Sequence, residues 1–154
     1  TWGSSTTFVN SSAGMRPLGP GLAVPGDALQ ILGDMGADVI NLATTQLGGA
    51  LNLSAVFGGN NSVTIQGNSD MASFNYIGGT GNDDILIDDS SINTSVAIML
   101  NNGSDSLLVT NVDPLTQWPS PLLGSILING GLGVDSTNLA ALALGALGFE
   151  VFLP

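Results

Sequence analysis

A glycine-centred pattern recurs five times along this chain of 154 residues. Two residues after each glycine stands an acid or an amide, and aliphatic residues usually follow two and four positions later. The first four glycines are 22 or 23 residues apart, and the last spacing is 30 residues. The five glycines are Gly36, Gly59, Gly81, Gly103 and Gly133. Self-similarity at a nearly fixed period of this length is typical of proteins built from stacked repeats.

Both flanks of each glycine alternate between apolar and polar residues. The upstream apolar pairs are Leu29 and Ile31, Leu51 and Leu53, Phe74 and Tyr76, Ile98 and Leu100, and Ile126 and Ile128. The corresponding downstream pairs are Ile40 and Leu42, Val63 and Ile65, Ile85 and Ile87, Leu107 and Val109, and Thr137 and Leu139. Alternation with a period of two places successive side chains on opposite faces of a strand. Each repeat is therefore predicted to contain two short strands joined by a glycine turn.

The length of the repeat selects among the β architectures. About 22 residues are too few for a strand–helix–strand crossover, which needs roughly 30 residues, but they suit one coil of a β-solenoid. A glycine fits the corner of such a coil, because a tight turn often needs a positive φ or a residue without Cβ. The sequence predicts an all-β fold, a parallel β-solenoid (β-helix-like or β-roll-like) of about five coils, with aliphatic ladders in its interior.

Three regions follow from this repeat. Residues 1–26 are predicted to be an irregular N-terminal leader or arm with one short strand at Thr6 to Asn10, because glycine, serine and proline dominate them. Residues 27–139 are the solenoid repeats. Residues 140–154 break the pattern and are predicted to form an apolar C-terminal cap or assembly strand.

Two further elements depart from the regular coil. The extra residues in the last spacing fall at Pro114 to Pro121 and are predicted to form a loop that leaves one coil. The stretch from Leu139 to Gly148 is rich in alanine and leucine and is compatible with a short helix. Residues 148–154 alternate like a strand.

The charge of the chain is one-sided. Twelve acids stand against one base, Arg16, and the formal net charge is −11. Nucleic acid is excluded as a partner, because no basic patch can form, and anionic membrane surfaces are disfavoured for the same reason. No run of about 18 apolar residues is present, so no membrane insertion by a helix is expected. Cations are the natural partners of such a chain.

Several kinds of reactive site are excluded by composition. The chain has no cysteine, which rules out disulfides, thiolate metal sites and a cysteine nucleophile. It also lacks histidine and lysine, so the usual nucleophile–base pairs cannot form. The sequence therefore predicts a protein that is not an enzyme.

One turn resembles a known metal-binding repeat. Residues 78–86 match the nonapeptide G-G-x-G-x-D-x-U-x of the RTX (repeat-in-toxin) family, where U is a large aliphatic residue. The matching residues are Gly78, Gly79, Gly81, Asp83 and Ile85. The resemblance implies a β-roll in a secreted protein, with Ca²⁺ bound between stacked turns by backbone carbonyls and aspartate carboxylates. The family repeats every nine residues, whereas one such turn occurs here per coil of about 22, so one column of sites is the most that could form. The wider chain is similar to the looser β-strand repeats of large bacterial surface proteins.

The turn acids allow three interpretations. The resemblance implies calcium as a cofactor, with a metal column made from Asp38, Gly81, Asp83, Asp105 and Asp135. Alternatively, aspartate and asparagine simply form tight corners and cap their own backbone. A third interpretation places Asp83, Asp84 and Asp88 in the cleft of a polysaccharide-active β-helix that uses paired carboxylates.

The most favoured function is structural. A solenoid exposes open β edges at both ends, and such edges invite stacking unless they are capped. We expect an extracellular, secreted or cell-surface subunit or segment of a surface layer, sheath or filament. Copies of the chain would join by coil stacking or by β-strand addition through Thr6 to Asn10 and Phe149 to Leu153. The alternative is a calcium-binding RTX-like module of a larger secreted protein.

Potential glycosylation acceptors point weakly in the same direction. Five asparagines fit the acceptor pattern for N-linked glycans, which is a mark of exported proteins. They are Asn10, Asn52, Asn60, Asn93 and Asn102.

Overall fold

The computed structural model of the chain describes residues 7–11, 14–18, 28–33, 35–67, 69–110, 125–138 and 151–152. These residues form thirteen strands and no helix. The strands are β1 (Thr7–Ser11), β2 (Gly14–Leu18), β3 (Leu29–Leu32), β4 (Val39–Ala43), β5 (Gln46–Ser54), β6 (Ser62–Gln66), β7 (Asp70–Ile77), β8 (Asp84–Ile87), β9 (Ser91–Met99), β10 (Ser106–Val109), β11 (Ser125–Asn129), β12 (Ser136–Thr137) and β13 (Val151–Phe152). Within the same ranges, no helix has the length and apolarity needed to cross a membrane.

The strands form two sheets wound into a solenoid. The smaller sheet has five strands in the order β11-β9-β7-β5-β3, and the larger has eight in the order β13-β12-β10-β8-β6-β4-β1-β2. Strands alternate between the sheets along the chain from β3 to β12, and every pair they form with one another is parallel. The predicted all-β parallel β-solenoid is confirmed, with about 4 turns, close to the five coils expected.

The register of the larger sheet follows the glycine repeat. Ile40 pairs with Val63, Val63 with Ile85, Ile85 with Leu107, and Leu107 with Thr137. The positions four residues after the glycines are therefore equivalent, as the sequence predicts. Because stacked coils bring equivalent positions together, the aliphatic side chains line up in ladders along the solenoid axis.

In the smaller sheet, one predicted row is wrong by two residues. Phe74 and Tyr76 pair with Val96 and Ile98, rather than with Ile98 and Leu100. A shift of two residues keeps the same face of the strand buried, so the apolar alternation could not detect it. The distance from the glycine does identify the correct row, because Val96 precedes Gly103 by the same seven residues that separate Phe74 from Gly81.

The core lies between the two sheets. Its inward side chains are aliphatic, with Phe74 and Tyr76 as large aromatic members, and most are less than 3% exposed. Burial of each large side chain contributes roughly 2 kcal/mol. The polar side chains that point outward also line up in rows along the solenoid. In one such row, Asn75 Nδ2 donates to Asn52 Oδ1 at 2.7 Å. Each coil thus depends on its neighbours to bury its inner face.

Additional strands extend only the larger sheet. β1 pairs antiparallel with β4 and with β2, so a hairpin covers the first coil. The strand predicted at Thr6 to Asn10 corresponds to β1, whereas β2 lies in a stretch predicted to be irregular. At the other end, β13 pairs parallel with β12, which agrees with the strand expected in residues 148–154. The predicted loop at Pro114 to Pro121 and the possible helix at Leu139 to Gly148 lie outside the described residues.

Candidate functional site

The glycine turns stack along one edge of the solenoid. We call this the glycine edge; it consists of residues 35–38, 55–61, 78–83, 100–105 and 130–135. Backbone hydrogen bonds join its layers, with Gly59 N donating to Thr80 O at 3.0 Å and Gly81 N to Asn102 O at 2.9 Å. Gly81 has a φ of 139°, and a Cβ at this position would overlap the carbonyl oxygen of Gly59. The corner therefore requires glycine for both conformation and space.

A column of buried polar side chains lies immediately inside the glycine edge. We call it the aspartate ladder; its members are Asp38, Asn61, Asp83, Asp105 and Asp135. Each is at most 5% exposed. Each rung after the first accepts a hydrogen bond from the backbone of the rung before it. The donors and distances are Asp38 N to Asn61 Oδ1 at 3.1 Å, Asn61 N to Asp83 Oδ1 at 3.0 Å, Asp83 N to Asp105 Oδ1 at 2.7 Å, and Asp105 N to Asp135 Oδ1 at 2.9 Å.

The ladder solves a problem that the turns create. A buried backbone N–H without an acceptor is costly, and the residue after each turn cannot yet pair in the sheet. A side-chain oxygen from the next coil supplies the acceptor. One of the three interpretations of these acids is that they cap their own backbone at tight corners. Instead, they are buried and their Oδ1 atoms accept from the backbone of the neighbouring coil.

Asn61 shows how an amide fits this column. Its Nδ2 donates to Gly59 O at 3.1 Å and to Asp83 Oδ1 at 2.8 Å. Its Oδ1 accepts from Asp38 N, so both polar atoms of the amide group are hydrogen-bonded. Asp83 is also well satisfied, because the hydroxyl of Tyr76 donates to its Oδ2 at 2.9 Å. In contrast, Oδ2 of Asp105 is buried and has no hydrogen-bond partner among the described residues.

The environment changes the acidity of these groups. Burial raises the pKa of Asp105 to about 6, and the nearby Asp135 and Asp83 carboxylates add to the shift, against the hydrogen bond from the Asp83 backbone. Burial also raises the pKa of Asp83, although its hydrogen bonds from Asn61 and Tyr76 oppose the change. The pKa of the Tyr76 hydroxyl is raised by burial and by the Asp83 carboxylate. Burial in the ladder therefore makes its middle carboxyl groups weaker acids than free aspartate, although Asp105, with a pKa of about 6, is still mostly ionised at pH 7.

The structure brings the predicted metal residues together only as rungs of this ladder. Asp38, Asp83, Asp105 and Asp135 all belong to it, while Gly81 lies in the turn beside it. Among the described residues, no three acids, histidines or cysteines are grouped so that they could hold a metal ion. The prediction of calcium thus rests on the resemblance of the turn sequence rather than on a grouped set of side-chain ligands.

The three acids considered for catalysis are far from equivalent. Asp83 is buried in the ladder, Asp84 begins β8 and is exposed, and Asp88 follows the last residue of β8. Because β8 runs from one edge of the solenoid to the other, Asp84 and Asp88 lie on opposite edges. The three side chains do not share one cleft.

The opposite edge contains a second polar column that sequence reasoning missed. Its buried hydroxyl residues are Thr45, Ser69 and Ser90. Ser69 Oγ accepts from Thr45 N at 3.0 Å and donates to Gln66 O at 2.7 Å. The chain turns here at positive φ in three coils, at Thr44, Gly67 and Asp89. Only one of these corners is a glycine, so the only available signal was the similar spacing of the hydroxyl residues.

The bond between Tyr76 and Asp83 gives a direct test of the ladder. Tyr76→Phe keeps the buried ring but removes the hydroxyl group, which is the only hydrogen-bond donor to Asp83 Oδ2 among the described residues. We expect a loss of about 1.5 kcal/mol in unfolding free energy at pH 7, because a buried acceptor is left unsatisfied. Urea unfolding followed by circular dichroism measures it. An unchanged midpoint would show that this contact contributes nothing to stability.

Comparison of the chain with protein-family models, with curated proteins and with solved structures finds no match. The proposal for its function therefore rests on the geometry of the solenoid, the ladder and the surfaces.

Proposed function

We propose that this chain is an extracellular, non-enzymatic structural protein whose copies stack end to end into a filament, sheath or surface layer. The observation that carries the proposal is the parallel ladder of the smaller sheet, which stacks strand on strand from β3 to β11 with local register shifts between Leu47 and Ala50 and between Met71 and Ser73. A further coil of the same shape, supplied by a second copy, can continue this ladder at either end of the smaller sheet.

The core supports this proposal at its two ends. One inward row of the smaller sheet runs through Leu29, Leu51, Phe74, Val96 and Ile126. Its three central members are at most 1% exposed, whereas Leu29 and Ile126, at the ends, are only partly buried. Stacking β3 of one copy on β11 of another would bury both end members and extend the row.

The pairing of the terminal strands bears on which of the two expected modes of joining is the more favourable. β1 already pairs with β4, and β13 with β12, so both terminal strands are engaged within their own chain. These pairs favour coil stacking through the smaller sheet over donation of Thr6 to Asn10 or Phe149 to Leu153. The antiparallel hairpin of β1 and β2 also interrupts the parallel pattern of the larger sheet.

The hydrogen-bond pattern of β3 suggests where stacking can be blocked. Gly33 N donates to Ser54 O in β5. Along a strand of a parallel sheet, the backbone N–H and C=O groups of successive residues point alternately toward one neighbouring strand and the other. The N–H of Gln30 therefore points away from β5, toward an incoming strand. Proline at position 30 removes this donor without removing a backbone hydrogen bond between β3 and β5.

Electron microscopy of the purified protein tests the proposal. We expect the wild type to form filaments, Gln30→Pro to remain unassembled, and the matched control Gln30→Thr to assemble like the wild type. Circular dichroism confirms that each variant is folded. Absence of filaments in the wild type would refute the proposed function. Unaffected filaments of Gln30→Pro would refute joining through β3.

A calcium-binding module of a larger secreted protein is the second candidate. One observation favours it, because a buried carboxylate oxygen without a hydrogen bond, as at Asp105 Oδ2, can be stabilised by a cation. If calcium holds the coils together, a chelator should abolish the β signal in circular dichroism and added Ca²⁺ should restore it. A signal that is unchanged by chelator would exclude this candidate.

A further inference from the structure

The chain contains two asparagine–glycine dipeptides, Asn102–Gly103 and Asn129–Gly130. This dipeptide is prone to lose the side-chain amide, because a glycine has no Cβ to hinder attack of its backbone nitrogen on the preceding side chain. Both dipeptides lie where a strand of the smaller sheet gives way to the glycine edge, in successive coils. The fold places them in different surroundings, so their reactivities can be compared within one molecule.

The first dipeptide is held between two neighbouring coils. Asn102 N donates to Gly79 O at 3.2 Å, and Gly103 N donates to Leu132 O at 2.9 Å. The carbonyl oxygen of Asn102 also accepts from Gly81 N at 2.9 Å. The nitrogen that would have to attack the Asn102 side chain is therefore engaged in a hydrogen bond, and the peptide unit before it is fixed from the other side.

Gly130 occupies the last place in a row of backbone donors. In each earlier coil, the residue that follows or ends the strand of the smaller sheet donates its N–H to the next coil. The donors and acceptors are Gly33 N to Ser54 O at 2.8 Å, Ala55 N to Ile77 O at 2.8 Å, Gly78 N to Met99 O at 2.7 Å, and Leu100 N to Asn129 O at 2.9 Å. Among the described residues, no strand of the smaller sheet lies beyond β11, and Gly130 N has no hydrogen-bond acceptor.

The open row makes the second dipeptide easier to unfold locally. Gly130 is buried, so its N–H lacks both a protein acceptor and ready contact with water. A donor in this state destabilises the folded turn, and local opening removes that penalty because water then reaches the N–H. Within the described sheet, β11 also pairs with β9 alone. Because local opening is easiest where few backbone bonds must break, Asn129–Gly130 opens more often than Asn102–Gly103.

We propose that Asn129 is a site of spontaneous deamidation, with Gly130 supplying the attacking nitrogen. In the opened turn, Gly130 N gives its proton to hydroxide from the solvent and bonds to Cγ of Asn129. The bond from Cγ to Nδ2 breaks, and the amide nitrogen takes a proton from water and leaves as ammonia. The succinimide ring that remains is opened by water at either of its carbonyl carbons, which gives aspartate or isoaspartate. No oxidant, reductant or enzyme is required.

Either product changes the end of the smaller sheet. A carboxylate replaces a neutral amide, which adds a negative charge to a chain whose net charge is already −11. Isoaspartate also carries the main chain through the former side chain, so the backbone becomes one atom longer at the last residue of β11. The inference goes beyond the proposed assembly and does not depend on it, because the reaction uses only groups of one chain and water.

Peptide mass spectrometry of unassembled protein kept at pH 8 tests the site. Digestion of the denatured samples with a protease that cuts at aspartate separates the two dipeptides, because Asp105 lies between them and Asp135 follows the second. We expect Asn129 to be deamidated about 10-fold faster than Asn102 in the folded protein. In concentrated urea, where the fold no longer distinguishes the two dipeptides, their rates should become similar.

Asn129→Gln is the control variant. Its longer side chain would have to close a larger ring, so we expect no deamidation at this position while the rate at Asn102 is unchanged. Equal rates at Asn102 and Asn129 in the folded wild type, or a faster reaction at Asn102, would overturn the inference. A tenfold difference that persists in urea would also overturn it, because the neighbouring sequence rather than the open end of the smaller sheet would then be the cause.

Discussion

Gly81→Ala should lose about 4 kcal/mol of unfolding free energy, a large share of the roughly 5–15 kcal/mol typical of a domain. The added Cβ would overlap the carbonyl oxygen of Gly59, a backbone atom that cannot rotate away. The φ of 139° adds conformational strain for any residue with a Cβ. Relief requires the second and third coils to move apart, which breaks the hydrogen bonds and ladders between them. Urea or thermal unfolding followed by circular dichroism measures the loss.

Gly67→Ala is the matched control for this substitution. Gly67 also has a positive φ, 68°, but a Cβ there would meet Thr44 Oγ1 at 3.6 Å, an ordinary contact. We expect this variant to lose only about 1 kcal/mol, from backbone strain alone. The difference between the two variants isolates the effect of close stacking at the glycine edge. Equal losses would mean that the stacked corner is not under steric constraint.

The stability of the protein should increase on mild acidification, opposite to the usual behaviour of carboxylates in salt bridges. The pKa of Asp105 is about 6 in the folded protein, against 3.8 for an unperturbed aspartate. The folded state therefore binds the Asp105 proton more tightly than the unfolded state does. The stabilisation that results from this difference is complete below about pH 4 and is lost as the pH rises through about 6. The shift corresponds to an upper limit of about 3 kcal/mol, which solvent screening reduces to about 2 kcal/mol.

Urea midpoints at pH 5 and pH 8 provide the measurement, since most of the titration of Asp105 falls between them. The raised pKa of Asp83 acts in the same direction. We expect a gain of about 1 kcal/mol at pH 5 relative to pH 8. A urea midpoint that falls steadily as the pH is lowered would contradict a raised pKa of the buried carboxyl groups in the aspartate ladder.

Asp105→Asn should remove most of this pH dependence and stabilise the protein by about 2 kcal/mol at pH 8. Asn61 is the precedent within the same column, because its Oδ1 accepts from the previous rung and its Nδ2 finds two acceptors. An asparagine at position 105 can repeat this arrangement, so the buried oxygen without a hydrogen bond is replaced by a donor.

Asn61→Asp is the reciprocal variant. It replaces an amide donor with a carboxylate beside Asp83 and should destabilise the protein at pH 8 while increasing its response to acid. The pair also distinguishes a proton-holding ladder from a calcium column. If calcium were bound, Asp105→Asn would destabilise the calcium-loaded protein and Asn61→Asp would strengthen metal binding.

Much of the candidate site could be anticipated from the glycine repeat. The five glycines marked equivalent corners, and the acids two residues later fell into one column, because a solenoid turns a sequence period into a spatial stack. The spacing could not show that these acids are buried or that they accept from the neighbouring coil. Burial depends on which side of the turn faces the core, and each amide donor belongs to a residue 22 to 30 positions away.

The sequence by itself determined the coil: its length, its two strands, its glycine corner and the alternation that separates inside from outside. These features are local, because they depend on strand periodicity and on the conformational freedom of glycine. Only the tertiary structure decided the hairpin of β1 and β2, the ladder of buried carboxyl groups and the gathering of exposed apolar residues on one edge. Each of these depends on which distant segments lie side by side, and a two-residue periodicity is equally satisfied by several such pairings.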